Sequence, residues 1–160
     1  MMKTFFLACI LLAGYVFSST AQLPKGSKAP EIRLPDSLGK WKPLSEVKSK
    51  LILVDFWAAW CGPCVQAMPD LKRIYTTWHT KGLEIYAVSL DKDYRNWVAT
   101  CTRLQIPFIH VNDAYSFNGQ ACRDYKVSSI PNKILIRDGI VIGSEMSLQQ
   151  LEDLIASELK

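Results

Sequence analysis

Cys61 and Cys64 are separated only by Gly62 and Pro63, in the run Trp60-Cys61-Gly62-Pro63-Cys64. Two thiols at that spacing can close a disulfide and reopen it by attack of a thiolate on sulfur. A buried strand gives way to a helix here, so Cys61 is expected at the helix start. There the unpaired N–H groups and the positive end of the helix dipole favour a thiolate. Cys64, one turn on and more buried, is placed to attack a mixed disulfide formed at Cys61. Gly62 and Pro63 set the tight geometry and bring no ligand or charge. Two other uses of the pair are weaker. Zinc usually takes four ligands, often from two such pairs, but there is no second pair, and His79 and His110 show no ligand spacing. A purely structural disulfide is disfavoured by glycine and proline inside the motif. No metal and no cofactor are expected.

The elements around the pair follow from periodicity. Leu51–Trp57 is nearly continuous in apolar and β-branched residues, as in a strand buried on both faces, and only Asp55 interrupts it. From Cys64 the period becomes helical, with Val65, Met68, Leu71, Ile74, Tyr75 and Trp78 on one face. Pro69 lies inside that helix and is expected to kink it, and Gly82 ends the element. Residues 83–90 form a second buried strand. Residues 94–104 form a helix with Trp97, Val98, Cys101 and Leu104 on one stripe, 108–111 a short strand and 115–125 another helix. Residues 133–137 and 140–142 flank Asp138-Gly139, a pair favoured in tight type I′ turns. Ser147 can cap a last helix over 148–159, with Leu148, Leu151, Leu154 and Ile155 inward. Before the first strand, residues 22–35 are rich in proline, glycine and lysine and read as an extended arm, and 36–40 as a turn. Strands alternating with helices, closed by a hairpin, give an α/β domain with a mixed central β-sheet flanked by helices.

The remaining composition narrows the class. The chain has 160 residues, enough for one domain with a core. With 49% hydrophobic and 21% charged residues it is an ordinary globular chain and not a disordered one. Residues 1–4 carry one positive charge, 5–17 are apolar and uncharged, and Ser18–Thr20 with Ala21 complete the pattern of a secretory signal. The expected division is a signal peptide over 1–21, cleaved before Gln22, and one domain over 22–160. An uncleaved anchor is the alternative, although the apolar run is short of the roughly 20 residues a spanning helix needs. Cys9 inside that run is a poor lipoprotein cysteine. Either way the domain leaves the cytoplasm. Loss of Lys3 leaves 18 basic and 15 acidic residues, or +3. That small, scattered excess gives no reason to expect nucleic acid. Of the other cysteines, Cys101 and Cys122 fall on helices without turn residues nearby, and packing is favoured over pairing.

The run Val54-Asp55-Phe56-Trp57-Ala58-Ala59-Trp60-Cys61-Gly62-Pro63-Cys64 resembles the active-site segment of thioredoxins. Pro69 matches the kinked helix of that family, and Ile130-Pro131 its cis-proline loop. Gly26-Ser27-Lys28-Ala29-Pro30 with Leu34 and Gly39, and an insertion over 94–125, are similar to the exported TlpA/ResA branch. The resemblance implies a thioredoxin-like fold with an N-terminal extension and a central insertion, in a monomer. It implies that Cys61 attacks, that Cys64 resolves, and that Asp55 is the buried carboxylate assisting proton transfer at the second cysteine. An unpaired buried carboxylate would have a raised pKa suited to that task; the alternative is a capped or salt-bridged core aspartate. Trp60, Ile130 and Pro131 would line the substrate site, Ile130 offering its backbone to an extended chain. One departure stands out: the family's lysine on the strand beside the aspartate has no clear counterpart, Ala87 lying near its place.

The implied function is thiol–disulfide exchange on exported proteins, in the reducing direction. Thioredoxin shares this motif and is a far stronger reductant than DsbA. Substrates of the TlpA/ResA branch include the cysteine pairs of cytochromes c before haem attachment, and the electron donor would be a membrane or exported thiol protein. Two alternatives remain. A peroxiredoxin has a similar N-terminal arm but needs a Pro-x-x-x-Thr-x-x-Cys setting that residues 57–64 do not supply. A non-catalytic binding module or metallochaperone would be signalled by loss of one cysteine, and both are present.

Overall fold

The computed structural model describes residues 23–160, so the expected signal segment lies outside the described residues. Five strands make the central sheet, in the order β5-β4-β3-β6-β7. At its centre lies β3 (Leu51–Trp57), parallel to β4 (Leu83–Ser89) and antiparallel to β6 (Asn132–Arg137). β5 (Ile109–Asn112) extends the parallel side, and β7 (Ile140–Ser144) the antiparallel side. The sheet is mixed, as the periodicity predicts. Strand β3 is buried along nearly its whole length, as its apolar run predicts. Val54, Phe56 and Trp57 are fully buried, each such large side chain contributing about 1.5–3 kcal/mol.

Among the described residues four helices flank the sheet: α1 (Gly62–Trp78), α2 (Tyr94–Leu104), α3 (Gln120–Asp124) and α4 (Leu148–Glu158). α1 runs through Pro69 and buries Cys64, Met68, Leu71 and Ile74. α2 has the expected bounds and is capped by Asp93, whose carboxylate accepts from the N–H groups of Arg95 and Asn96. α4 begins in a capping box: the Ser147 hydroxyl accepts from Gln150 N–H while the Gln150 side chain accepts from Ser147 N–H. Asp138 and Gly139 both have positive φ, 51° and 75°, the type I′ geometry expected of the β6–β7 turn.

Two expectations need correction. The helix expected over 115–125 is divided into a 3-10 turn at Ser116–Asn118 and the short α3, with Gly119 between them. Asp113 drives the division by accepting from Tyr115 N–H and pressing against Gly119. The extended arm also holds more structure than composition suggests. Strands β1 (Arg33–Pro35) and β2 (Trp41–Pro43) pair as an antiparallel hairpin. Its turn is fixed by Asp36, whose Oδ1 accepts from the N–H groups of Leu38 and Lys40. Lys28 bridges to Ile140 at the start of β7, and Asp36 bridges to Val111 of β5. Among the described residues no helix is long and apolar enough to cross a membrane.

Candidate functional site

Strands β3, β4 and β5 finish level with one another: Trp57 pairs with Ser89, and Ser89 with Asn112. The loop beyond Trp57 leads in three residues to Cys61, the N-cap of α1. Pro63 in the first turn costs no hydrogen bond, since the N–H it lacks would have no helical partner there. Cys61 and Cys64 are joined as a disulfide. The Cys61 sulfur accepts the backbone N–H of Cys64 at 3.3 Å. It therefore sits at the positive end of the helix dipole, within reach of an otherwise unpaired donor. Both cysteines are buried, while Trp60 beside them is 56% exposed.

The loop does not hold this position alone. Asp91, in the segment after β4, is buried, and its Oδ2 accepts from Ala59 N–H and from the Ser89 hydroxyl, both at 2.8 Å. Asn112 braces the same corner by donating to Ser89 Oγ and to the Asp91 carbonyl. Leu90 N–H donates to the Trp57 carbonyl. The chain that carries Trp60 and Cys61 is thus tied to the end of β4. The sequence reading missed Asp91. Its one outward sign is a charged residue directly after a wholly buried strand.

Asp55 lies on β3, 1% exposed, opposite Ala87 on β4 and Lys133 on β6. The Lys133 ammonium, itself buried, approaches Asp55 Oδ1 to 3.2 Å. The approach is that of an ion pair without an aligned hydrogen bond, and Oδ1 has no hydrogen-bond partner among the described residues. This corrects one expectation: the aspartate is salt-bridged, not unpaired. Ala87 does stand beside it on β4, where the family has its lysine, as expected, and the lysine of this site is Lys133. It comes from β6, on the other side of β3 from Ala87. Burial pushes the Asp55 carboxyl above the ordinary carboxylate range, and the Lys133 charge opposes that rise in part.

Ile130 and Pro131 immediately precede β6, and the bond between them is cis. Pro131, Lys133, Ala67 and Met146 line a cleft of about 460 Å³. Lys133 therefore joins the buried carboxyl to the wall of an open cleft. The structure brings Cys61, Cys64 and Trp60 together at the start of α1. It sets Asp55 on β3, the strand feeding that turn, and Pro131 at the head of the neighbouring β6. Cys101 and Cys122 are free thiols in the core, and burial pushes both up to about 12.

Residues 25–151 match the AhpC/TSA family. The chain belongs to that family. Among curated relatives of this AhpC/TSA member is the thiol-disulfide oxidoreductase ResA of Bacillus cereus. The two are 32% identical over 150 residues, covering 89% of this chain and 83% of the relative. Among solved structures, the thioredoxin domain of a thiol-disulfide oxidoreductase from Bacteroides vulgatus superposes with a TM-score of 0.80 at 27% identity. That match covers 86% of this chain and 99% of the other. A thiol:disulfide interchange protein from a Bacteroides species gives a TM-score of 0.78 at 27% identity, over 86% of this chain and 91% of the other. The fold is thioredoxin-like with a helical insertion. This AhpC/TSA member is a thiol–disulfide oxidoreductase with its cysteine pair at Cys61 and Cys64.

Proposed function

We propose that the protein is an extracytoplasmic reductant of protein disulfides in which Cys61 is the nucleophile and Cys64 the resolving thiol. The observation that carries the assignment of roles is the Cys61 sulfur at the N-cap of α1, accepting the Cys64 N–H. That position favours the thiolate of Cys61 over that of Cys64, which lies within the helix. The Cys61 thiolate attacks one sulfur of a substrate disulfide. The substrate S–S bond breaks, a Cys61–substrate disulfide forms, and the departing substrate sulfur takes up a proton. Cys64 then gives up its proton and attacks the Cys61 sulfur. The mixed disulfide breaks, the second substrate thiol leaves, and two electrons have passed to the substrate. The enzyme is left as the Cys61–Cys64 disulfide. A dithiol on a membrane or exported donor protein returns it to the reduced form by the same chemistry run toward the enzyme.

Asp55 is the base that takes the Cys64 proton. A carboxyl whose pKa is raised by burial is a better acceptor near neutral pH than an ordinary one. The Lys133 charge opposes that rise in part, and Lys133 itself lies on the cleft wall. Trp60, Ile130 and Pro131 form the surface on which an extended substrate lies. The three-part N-terminal segment supports work outside the cytoplasm, and cysteine pairs of c-type cytochromes before haem attachment are one substrate class that suits such a reductant. The peroxidase alternative fails on residues: for Cys61 the required proline and threonine positions are Val54 and Ala58.

Substrate trapping tests the assignment. Cys64→Ser should accumulate partner proteins disulfide-linked to Cys61, and Cys61→Ser should trap none and lose insulin reduction. Capture by Cys64 alone would overturn it. Intact mass of the exported protein should correspond to a start at Gln22, whereas retention of Met1 in a membrane fraction would establish an anchor instead.

A further inference from the structure

Three aromatic side chains stand out at the end of the sheet that carries the disulfide. Trp60 is 56% exposed, Tyr115 77% and Phe117 38%. Scattered exposed apolar residues need no explanation, but the two chain segments that carry these leave the sheet at one level, because Trp57 and Asn112 both pair with Ser89. The loop bearing Tyr115 and Phe117 is also built to hold them out. Ser116 between them is buried at φ 57°, a left-handed conformation that costs stability in a residue with a Cβ. Asp113 accepts from Tyr115 N–H. Its carboxylate packs so closely on Gly119 that a Cβ there would lie 1.9 Å from Oδ2. Successive N–H groups of Ser116, Asn118 and Gly119 donate back to Asp113, Tyr115 and Ser116. A surface loop with this much internal bracing keeps two aromatic rings in water where a relaxed loop would turn them inward.

We infer that Tyr115 and Phe117 form a substrate-docking ledge for an aromatic or large apolar side chain near the attacked cysteine of a polypeptide disulfide. The inference rests on the reductase reading above and adds to it a substrate preference. β3 and β5 are two strand spacings apart, about 10 Å. An extended chain covers that distance in about three to four residues. The preferred substrate therefore carries its apolar side chain about three to four residues from the cysteine held at Cys61. Trp60 lies on the chain that leaves β3 and the ledge on the chain that leaves β5, so one extended segment would meet both.

The test uses two synthetic peptides, each with one cysteine disulfide-linked to glutathione. One carries Trp four positions from the cysteine and the other Ala. Oxidised glutathione serves as a small disulfide. The reduced wild-type protein should cleave the Trp peptide with a KM about tenfold lower than the Ala peptide and with similar kcat, the size expected of one aromatic contact. Tyr115→Ser/Phe117→Ser should raise KM for the Trp peptide to that of the Ala peptide and leave oxidised glutathione turnover unchanged. Tyr115→Phe should keep the preference. If the double variant does not fold, Tyr115→Ser alone, at the more exposed position, should lose most of it. Equal KM values for the two peptides with the wild type would overturn this inference and leave the reductase reading standing. A wild type inactive on all three disulfides would overturn both. Concentration-dependent dimerisation abolished by the double variant would assign the ledge to a second copy of the chain and also overturn it.

Discussion

Lys133→Met removes the one countercharge that, among the described residues, lies beside Asp55, a carboxyl 1% exposed. At 3.2 Å and an effective dielectric of about 20, the lost attraction is about 5 kcal/mol. That agrees with the roughly 3–5 kcal/mol cost of breaking a buried pair. The carboxyl can avoid the cost by taking up a proton. Its folded-state pKa is already raised and should rise further in the variant. Above the unfolded value the folded state then holds more protons than the unfolded one, so stability falls as pH rises through the window between the two. The window starts at the unfolded carboxylate pKa, near 3.8, and reaches to higher pH in Lys133→Met than in the wild type. Urea unfolding followed by tryptophan fluorescence between pH 5 and 9, with the disulfide closed throughout, should show a steeper loss for Lys133→Met. The deficit should approach about 3–5 kcal/mol at the alkaline end and be smaller at pH 5. Asp55→Leu/Lys133→Met should lose the slope and recover most of the stability, since replacing both members of a buried pair by apolar groups is neutral or stabilising. A Lys133→Met curve parallel to the wild type, or a double variant weaker than the single one, would refute the account of this pair.

Asp55→Asn should leave the capture of substrates by Cys61 intact and slow their release, seen as a longer-lived mixed disulfide in rapid-quench gels. Asp91→Asn weakens the charged acceptor for Ala59 N–H, and should cost about 1–3 kcal/mol in urea unfolding and slow insulin reduction. Gly119→Ala forces Asp113 away from its packed position, and should cost about 1–3 kcal/mol and lower the melting temperature. Cys101 and Cys122, buried and pushed up to about 12, should resist a thiol reagent at pH 8 until denaturant is added, while Cys61 in the reduced protein reacts at once.

What could be read from the chain was local. Leu51–Trp57 announces a buried strand through its own composition, Asp138-Gly139 names its turn, and Ser147 with Gln150 writes its own cap. The cysteine pair was equally plain, since its chemistry and the helix that presents it lie within a few residues. Two of the misses were pairings between distant segments. Lys133 is 78 positions from Asp55, and only the antiparallel register of β6 on β3 sets them opposite one another. Asp91 reaches Ala59 across 32 positions. The break at Gly119 comes from contact with Asp113, which local helical periodicity does not encode. The β1–β2 hairpin was hidden because three-residue strands are too short to show a period of two.

The N-terminal arm bears on a different hazard. A five-stranded open sheet has two outer strands, here β5 and β7, whose unpaired N–H and C=O groups can recruit a strand from another molecule. The arm visits both. Gly26 N–H donates to the Val141 carbonyl, Val141 N–H donates to the Ser27 carbonyl, and Lys28 bridges to Ile140, which occupies the start of β7. The same segment then crosses to the far side, where Asp36 bridges to Val111 and blocks β5. One stretch of eleven residues, 26–36, thus guards both rims against cross-molecule zipping. Chains shortened past Asp36 would keep the cysteine pair and its helix but gain two sticky borders, and self-association should appear before any loss of redox chemistry.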